Sequence, residues 1–279
     1  MNGTSPVLSR RTLLKAGLLT VPVLAGGRML SACLSSPADA SAMAAEPLPE
    51  PLAYDPSAHA WVFVCDATKC IGCGFCVEAC KAENDVPIEP ECNRTWVERH
   101  TIAEDGSVVV ESPHGGIDGF PPASPREDGV GARAGEAYFV PRLCMQCDAP
   151  PCVSVCPVSA TYKTEDGVVL VDASKCIGCG YCIVACPYGA RYIVPAGEDL
   201  PGGYPGVADK CTFCYHRTTN GLGPACAQVC PVGARTFGDL NDPSSPVVEL
   251  LQDPRIRIMK PEQGTEPRVY YLGLESEVS

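Results

Sequence analysis

The stretch DATKCIGCGFCVEAC, residues 66 to 80, returns 106 residues later as DASKCIGCGYCIVAC, residues 172 to 186, with eleven of fifteen positions identical. Solenoid units run to about 20 to 50 residues, so a spacing this long marks two copies of one local site, not a stacked repeat. What the copies share is cysteine. Sixteen of the nineteen cysteines fall into four groups of four: Cys70, Cys73, Cys76, Cys80; Cys144, Cys147, Cys152, Cys156; Cys176, Cys179, Cys182, Cys186; and Cys211, Cys214, Cys226, Cys230. Cys33, Cys65 and Cys92 are left over. An odd number in a 279-residue chain argues against a simple disulfide framework and for metal.

The first and third groups are spaced C-x2-C-x2-C-x3-C. In iron–sulfur proteins this run wraps three thiolates around one cube, and the fourth cysteine ligates the neighbouring one. The fourth lies one helical turn beyond the third and so points away from its own loop. Gly72, Gly74, Gly178 and Gly180 permit positive φ and let backbone N–H groups turn towards the sulfurs. Ile71 and Ile177 are suited to shield the clusters from water. Pro157, Pro187 and Pro231 follow three of the fourth cysteines, while Cys80 is followed by Lys81.

The other two groups are looser. CMQCDAPPC, residues 144 to 152, puts four residues before its third cysteine, and CTFCYHRTTNGLGPAC, residues 211 to 226, puts eleven. Alone, the latter is also a layout for structural zinc. A second internal echo, PPCVSVCPVSA (150 to 160) against PACAQVCPVGA (224 to 234), instead gives both loose groups one structural role. Lys69, Lys175 and Lys210 each directly precede a first cysteine, and Arg142 lies two before Cys144. These cations either raise the potentials of adjacent clusters or are solvated side chains that merely echo the repeat. Cys65 and Cys92 read as small buried hydrophobes. His59, His100, His114 and His216 form no spaced cluster, and no catalytic residue stands out.

The first 45 residues read as an export leader and the start of a tether. SRRTLLKAG, residues 9 to 17, resembles the twin-arginine signal, with paired Arg10 and Arg11. The apolar stretch that follows, residues 16–30, is too short and too interrupted to span a bilayer. Leu30-Ser31-Ala32-Cys33 resembles the box at which bacterial lipoproteins are cleaved and acylated, which makes Cys33 a candidate lipid anchor; ordinary cleavage after Ala40 or Ala42 also fits. Residues 46–57 read as a linker rich in Pro and Ala, and 58–279 as the folded domain. A net charge of −12 without a basic run excludes nucleic acid as a partner.

WVFVC (61 to 65), GVVLVD (167 to 172) and RYIVP (191 to 195) read as strands next to cluster loops. Short helices are expected to begin near the third cysteine of the first and third groups. The fold class is therefore α+β: two ferredoxin-like double-cluster modules with inserted loops, short strands and little other regular structure. Residues 93–137 read as an inserted strand pair and long loop that meets a partner.

Taken together, the leader, the four motifs in this order and the tail KPEQGTEPRVYYLG (260 to 273) resemble the four-cluster iron–sulfur subunits of the dimethyl sulfoxide reductase family. The resemblance covers nearly the whole mature chain. It implies an exported, periplasmic, non-catalytic subunit with four 4Fe-4S clusters and no small-molecule substrate of its own. Such subunits relay electrons between a molybdopterin catalytic subunit and a membrane quinone-reactive subunit; similar ones serve hydrogenases. It implies that motif one pairs with four and two with three. Cys70, Cys73, Cys76 and Cys230 would then hold the first cluster, and Cys80, Cys211, Cys214 and Cys226 the second. Cys144, Cys147, Cys152 and Cys186 would hold the third, and Cys156, Cys176, Cys179 and Cys182 the fourth. Some relatives replace the residue matching Cys179 and carry a three-iron cluster; its presence here argues for a cube. The competing readings are a periplasmic hydrogenase subunit, a stand-alone iron–sulfur enzyme, and a zinc or disulfide protein.

Overall fold

The computed structural model describes residues 54–103, 107–120, 132–196 and 205–274. The leader, Cys33 and the tip of the insert lie outside them. Tyr54, on the linker side of the expected boundary at residue 58, already belongs to the body: its ring stacks on His59 at 5.1 Å, and its hydroxyl bonds Asp166.

The central strand β1 (Trp61–Asp66) is buried almost throughout, as its continuous apolar run requires. Its alternation sends Phe63 and Cys65 into the main core and Val62 and Val64 to the opposite face, against Val247 of helix Pro246–Leu250. Next come β2 (Thr95–Ala103), β3 (Val108–Glu111) and β4 (Ala132–Leu143), then the hairpin of β5 (Thr161–Lys163) and β6 (Val169–Val171). Further on, β7 (Tyr192–Ile193) pairs with β8 (Ala208–Asp209), and β9 (Arg235–Asp239), β10 (Ile256–Arg257) and β11 (Val269–Leu272) complete the strands. The largest sheet has the order β10-β11-β1-β9, with β11 parallel and β9 antiparallel to β1. The architecture is α+β, with small sheets and short helices. The tail strand β11 was not foreseen, although VYYL is β-prone.

Two antiparallel pairings act alike at two places. Pairing of β1 with β9, Cys65 opposite Arg235, sets the end of β1 beside the start of β9, and the Asp66 N–H donates to the Ala234 carbonyl at 2.8 Å. Pairing of β5 with β6 does the same, the Asp172 N–H donating to the Ala160 carbonyl at 2.7 Å. Because β1 and β6 lead into the first and third cysteine loops, Cys230 comes beside the first loop and Cys156 beside the third.

The helices begin where the loops predict, at Phe75 and Tyr181, just before Cys76 and Cys182. Their lengths differ for a reason visible in sequence. Helices Pro151–Ser154, Tyr181–Val184 and Ala225–Gln228 each stop short of a cysteine followed by proline, which lacks the N–H a helix needs. With Lys81 in that place, the first helix runs on to Glu83, and Lys81 donates to the carbonyls of Pro87 and Cys92.

The insert extends past the expected end at residue 137 to Leu143 and forms a three-stranded sheet, β3-β2-β4, whose last strand delivers Cys144 to its loop. It is more than a peripheral loop: Val97, Val140 and Leu143 enter the main core. Among the described residues no helix is long and apolar enough to cross a membrane.

Candidate iron–sulfur centres

The four glycines of the repeated loops all have positive φ, between 67° and 76°, so each loop turns its backbone inward as its spacing demands. Backbone N–H groups reach the sulfurs elsewhere too. Ala160 and Ala234, at matching places in the second echo, donate to Cys156 Sγ and Cys230 Sγ at 3.2 Å each. The N–H of Phe213 donates to Cys211 Sγ, and that of Ala208 to Cys176 Sγ, both at 3.4 Å.

Three small cavities open among the cysteines. One is lined by Cys70, Cys73, Cys76 and Cys230. A second is lined by Cys80, Cys211, Cys214 and Cys226, and a third by Cys144, Cys147, Cys152 and Cys186. The remaining four cysteines line none of these cavities. Cys182 is buried, with Cys176 packed against its cluster; Cys156 is half-buried and Cys179 exposed. None of the eighteen cysteines among the described residues is in a disulfide.

This arrangement suits cubes better than zinc. Among the described residues no three Cys, His, Asp or Glu side chains converge on a single-ion site; the thiols ring a cavity instead. Cys211, Cys214 and Cys226 share theirs with Cys80, not with the Cys230 that a local zinc site would use. Burial pushes the Cys70 thiol up to about 11 and those of Cys147 and Cys226 up to about 12. Iron binding needs thiolates, so an occupant bringing positive charge is what makes their ionisation possible. Arg235, buried at the edge of the first cavity, has both terminal guanidinium nitrogens without a hydrogen-bond partner. A buried, unsatisfied cation calls for a counter-charge, which cluster-bound thiolates and sulfides provide.

The four cations singled out by position separate sharply. Lys69 and Lys175 are mostly solvated and pair with Asp66 and Asp172 at 3.0 and 2.9 Å. Arg142 is paired with Glu98 at 2.8 Å and stacked over Trp96. Only Lys210 is fully buried, its ammonium donating to the Val169 carbonyl and, at 2.8 Å, to that of Cys211. Ile71 and Ile177 do not bury against the cysteines: they are 55% and 64% exposed, because both loops lie at the surface. Cys65 and Cys92 are buried, Cys65 in the main core and Cys92 with Val86, Tyr192 and Val194.

Three residues near the cysteines escaped sequence reasoning. Gln146, wholly buried, donates to the Cys211 carbonyl and accepts from the Val169 N–H, both at 2.7 Å, tying the second motif to the fourth. Arg191 Nη2 donates to Cys152 Sγ at 3.0 Å. Arg191 and Arg235 had a signal: they end CPYGAR (186 to 191) and CPVGAR (230 to 235). The histidines are engaged elsewhere, His59 with Asp239 and His216 with Glu83.

Known proteins have similar sequences. Two family models, each described as a 4Fe-4S dicluster domain, match residues 69–160 and 135–240. The sequence is 40% identical over 219 residues to a tetrathionate reductase subunit of Salmonella typhimurium, covering 78% of this chain and 74% of that one. It is 39% identical to a selenate reductase subunit of Mesobacillus selenatarsenatis, over 76% and 71% of the two chains. With a polysulfide reductase polypeptide of Wolinella succinogenes it shares 35% identity over 76% of this chain and 95% of that one. Two dicluster domains make four 4Fe-4S clusters, and this protein belongs to the iron–sulfur electron-transfer subunits of the dimethyl sulfoxide reductase family, which relay electrons within respiratory reductase complexes.

Proposed function

We propose that the sixteen motif cysteines hold the clusters as two crossed double-cluster modules, motifs one with four and two with three, arranged as one line. The first quartet is Cys70, Cys73, Cys76 and Cys230, and the second Cys80, Cys211, Cys214 and Cys226. The third is Cys144, Cys147, Cys152 and Cys186, and the fourth Cys156, Cys176, Cys179 and Cys182. The cavity linings support the first three, and the β5–β6 pairing supports the fourth. Each cube, when bound, takes up and returns one electron at a time. The protein's part is to hold the thiolates, exclude water from the middle of the line and leave its ends accessible.

The observation that carries this reading is the gradient of exposure. Every cysteine of the second quartet is buried, and three of four in the third, whereas Cys73 and Cys179 in the outer quartets are exposed. Phe75 and Tyr181 stand beside them, 53% and 62% exposed. A line insulated in the middle and open at both ends suits a subunit that meets one redox partner at each end. We assign these partners as a molybdopterin catalytic subunit and a membrane quinone-reactive subunit; the names of the relatives, reductases of tetrathionate, selenate and polysulfide, favour this.

The experiment is anaerobic purification of the native complex. It is expected to contain a molybdopterin subunit and a multi-span membrane protein, clusters reducible by quinol, and about sixteen irons on this chain, four per cube. Turnover by the isolated chain, stoichiometric zinc, or reduction by hydrogen through a hydrogenase large subunit would overturn it.

The localisation belongs to the same proposal. The twin-arginine leader exports the folded, cluster-loaded chain to the periplasm, and a lipid on Cys33 tethers it to the membrane. Mass spectrometry of the mature N-terminus is expected to find acylated Cys33; an unmodified start after Ala40 or Ala42 rejects the anchor.

A further inference from the structure

We propose that Arg235, Lys210 and Arg191 form a row of buried cations, one at each junction between successive clusters, and that each raises the reduction potentials of the two clusters it separates. The proposal rests on the quartets assigned above.

Arg235 opens β9 opposite Cys65, is 4% exposed and lines the cavity of the first quartet. The thiols acting most strongly on its charge are Cys76, of the first quartet, and Cys226, of the second. Lys210 is wholly buried one residue before Cys211. Burial works against its charge and holds its pKa down, as does the like charge of Arg191, while Cys144 of the third quartet, Cys211 of the second and Cys152 of the third favour the charge. Arg191, 5% exposed, lines the third cavity and donates to Cys152 Sγ at 3.0 Å. It is coupled to Cys152 and Cys144 of the third quartet and to Cys182 of the fourth. Its other guanidinium nitrogen, Nη1, donates to the Thr161 hydroxyl at 3.3 Å. Four clusters in line have three junctions, and each has one of these side chains.

What separates the three from other cations is burial without a carboxylate: Lys81 and Lys260, which also bond only carbonyls, are half-buried. Arg94 is paired with Asp209, Arg142 with Glu98, Arg217 with Glu83 and Arg268 with Asp148. Among the described residues no carboxylate forms an ion pair with Arg235, Lys210 or Arg191. An uncompensated buried charge is strongly unfavourable, so the counter-charge has to come from the clusters. A fixed cation in a water-poor interior favours the form carrying the extra electron, which raises the potential, and N–H donation to a ligand sulfur acts in the same direction. Placed between two clusters, the cation acts on both and weakens the repulsion between them when both are reduced.

The sequence supports one cation per junction. Arg191 and Arg235 lie five residues after the fourth cysteines of motifs three and four. The same position in motif two is Thr161, already bonded to Arg191, and in motif one it is Asp85. No junction is assigned two arginines from this position.

The test is a redox titration of the complex, followed by electron paramagnetic resonance, with iron counted in every sample. Arg235→Gln, Lys210→Gln and Arg191→Gln are each expected to lower two of the four midpoint potentials. The expected size is at least tenfold in the reduction equilibrium, about 59 mV for a one-electron couple. The overlaps make the pattern specific: Lys210→Gln shares one shifted cluster with each arginine variant, and the arginine variants share none. Arg235→Lys, which keeps the charge, is expected to restore the wild-type values. Arg191→Met and Lys210→Met, which keep volume without charge, take the place of a glutamine variant that loses iron. Four intact clusters with unmoved potentials, or all four moving together, overturn the row. Fewer than four clusters in the unaltered protein instead overturns the quartets beneath it.

Discussion

The loops at residues 70–76 and 176–182 differ at one of seven positions, Phe75 against Tyr181, yet they are covered differently. In the first, a Cβ on Gly72 would lie 2.5 Å from the Phe139 ring, and one on Gly74 would lie 2.6 Å from the Gly116 carbonyl oxygen. Both neighbours belong to the insert, which has closed over the loop. In the third, a Cβ on Gly178 would run into the Gly206 carbonyl oxygen, but one on Gly180 would meet nothing within 4 Å. The same residues therefore make the same turn, and what packs on the turn is decided by a segment that only one copy possesses. Glycine is required by backbone conformation in both loops and by close approach to a backbone carbonyl as well at Gly74 and Gly178.

The hardest test of the likeness between the loops removes the cysteine that completes each. Cys230→Ala is expected to damage the cluster of Cys70, Cys73 and Cys76 and to leave Cys80, Cys211, Cys214 and Cys226 with all four thiolates. Cys156→Ala is expected to do the same to Cys176, Cys179 and Cys182. Electron paramagnetic resonance reads which signal is lost; a Cys230→Ala spectrum matching Cys214→Ala would show local ligation and end the crossed scheme.

The difference in cover is sharpened by alanine at the second glycine. Gly180→Ala is expected to cost only the left-handed strain, about 1–2 kcal/mol. Gly74→Ala adds a clash with backbone, about 1–3 kcal/mol more, and lowers the thermal midpoint further. Equal melting temperatures would mean that the insert does not press on the first loop.

A smaller effect probes what holds the insert sheet together. Burial alone would raise the Glu98 carboxyl, but hydrogen bonds from His100 and Trp96 and the charge of Arg142 outweigh it and hold the pKa down. A depressed carboxylate stabilises the fold above its unfolded value, about 4.3, and that stability is lost as pH falls through the folded value. Thermal melts from about pH 6 to pH 3 are therefore expected to fall less steeply in Glu98→Gln, with a loss of about 1–3 kcal/mol at neutral pH. An unchanged slope would remove Glu98 from the acid sensitivity.

The smallest effect concerns the lysines that open the two loops. Lys69 and Lys175 face solvent, where water and salt screen charge. Replacing either with alanine is expected to leave all four midpoint potentials unchanged in the titration that resolves Lys210→Gln. A shift as large as that of Lys210 would make the surface cations part of the tuning.

Much of this was legible beforehand. The strands at residues 61–66 and 169–171, the helix starts at Phe75 and Tyr181 and the positive φ of four glycines follow from signals that act within a few residues. The parallel pairing of β11 with β1 was not legible, since its partners lie about 206 residues apart, as Phe63 and Val269 do. Nor was the insert's third strand, whose apolar residues gain meaning only against a core built elsewhere.

What the sequence determined by itself is the local chemistry: four thiol motifs, the turn each adopts and the family these imply. Cysteine spacing and glycine φ act within about one turn of chain, so they survive wherever the loop is put. Only the tertiary structure decided which cysteines line a common cavity and which lysine is buried. Lys69, Lys175 and Lys210 stand in the same position relative to their cysteines. Long-range packing, with Gln146 bonded to both Cys211 and Val169, encloses Lys210 and leaves the other two in water, where the same charge does far less.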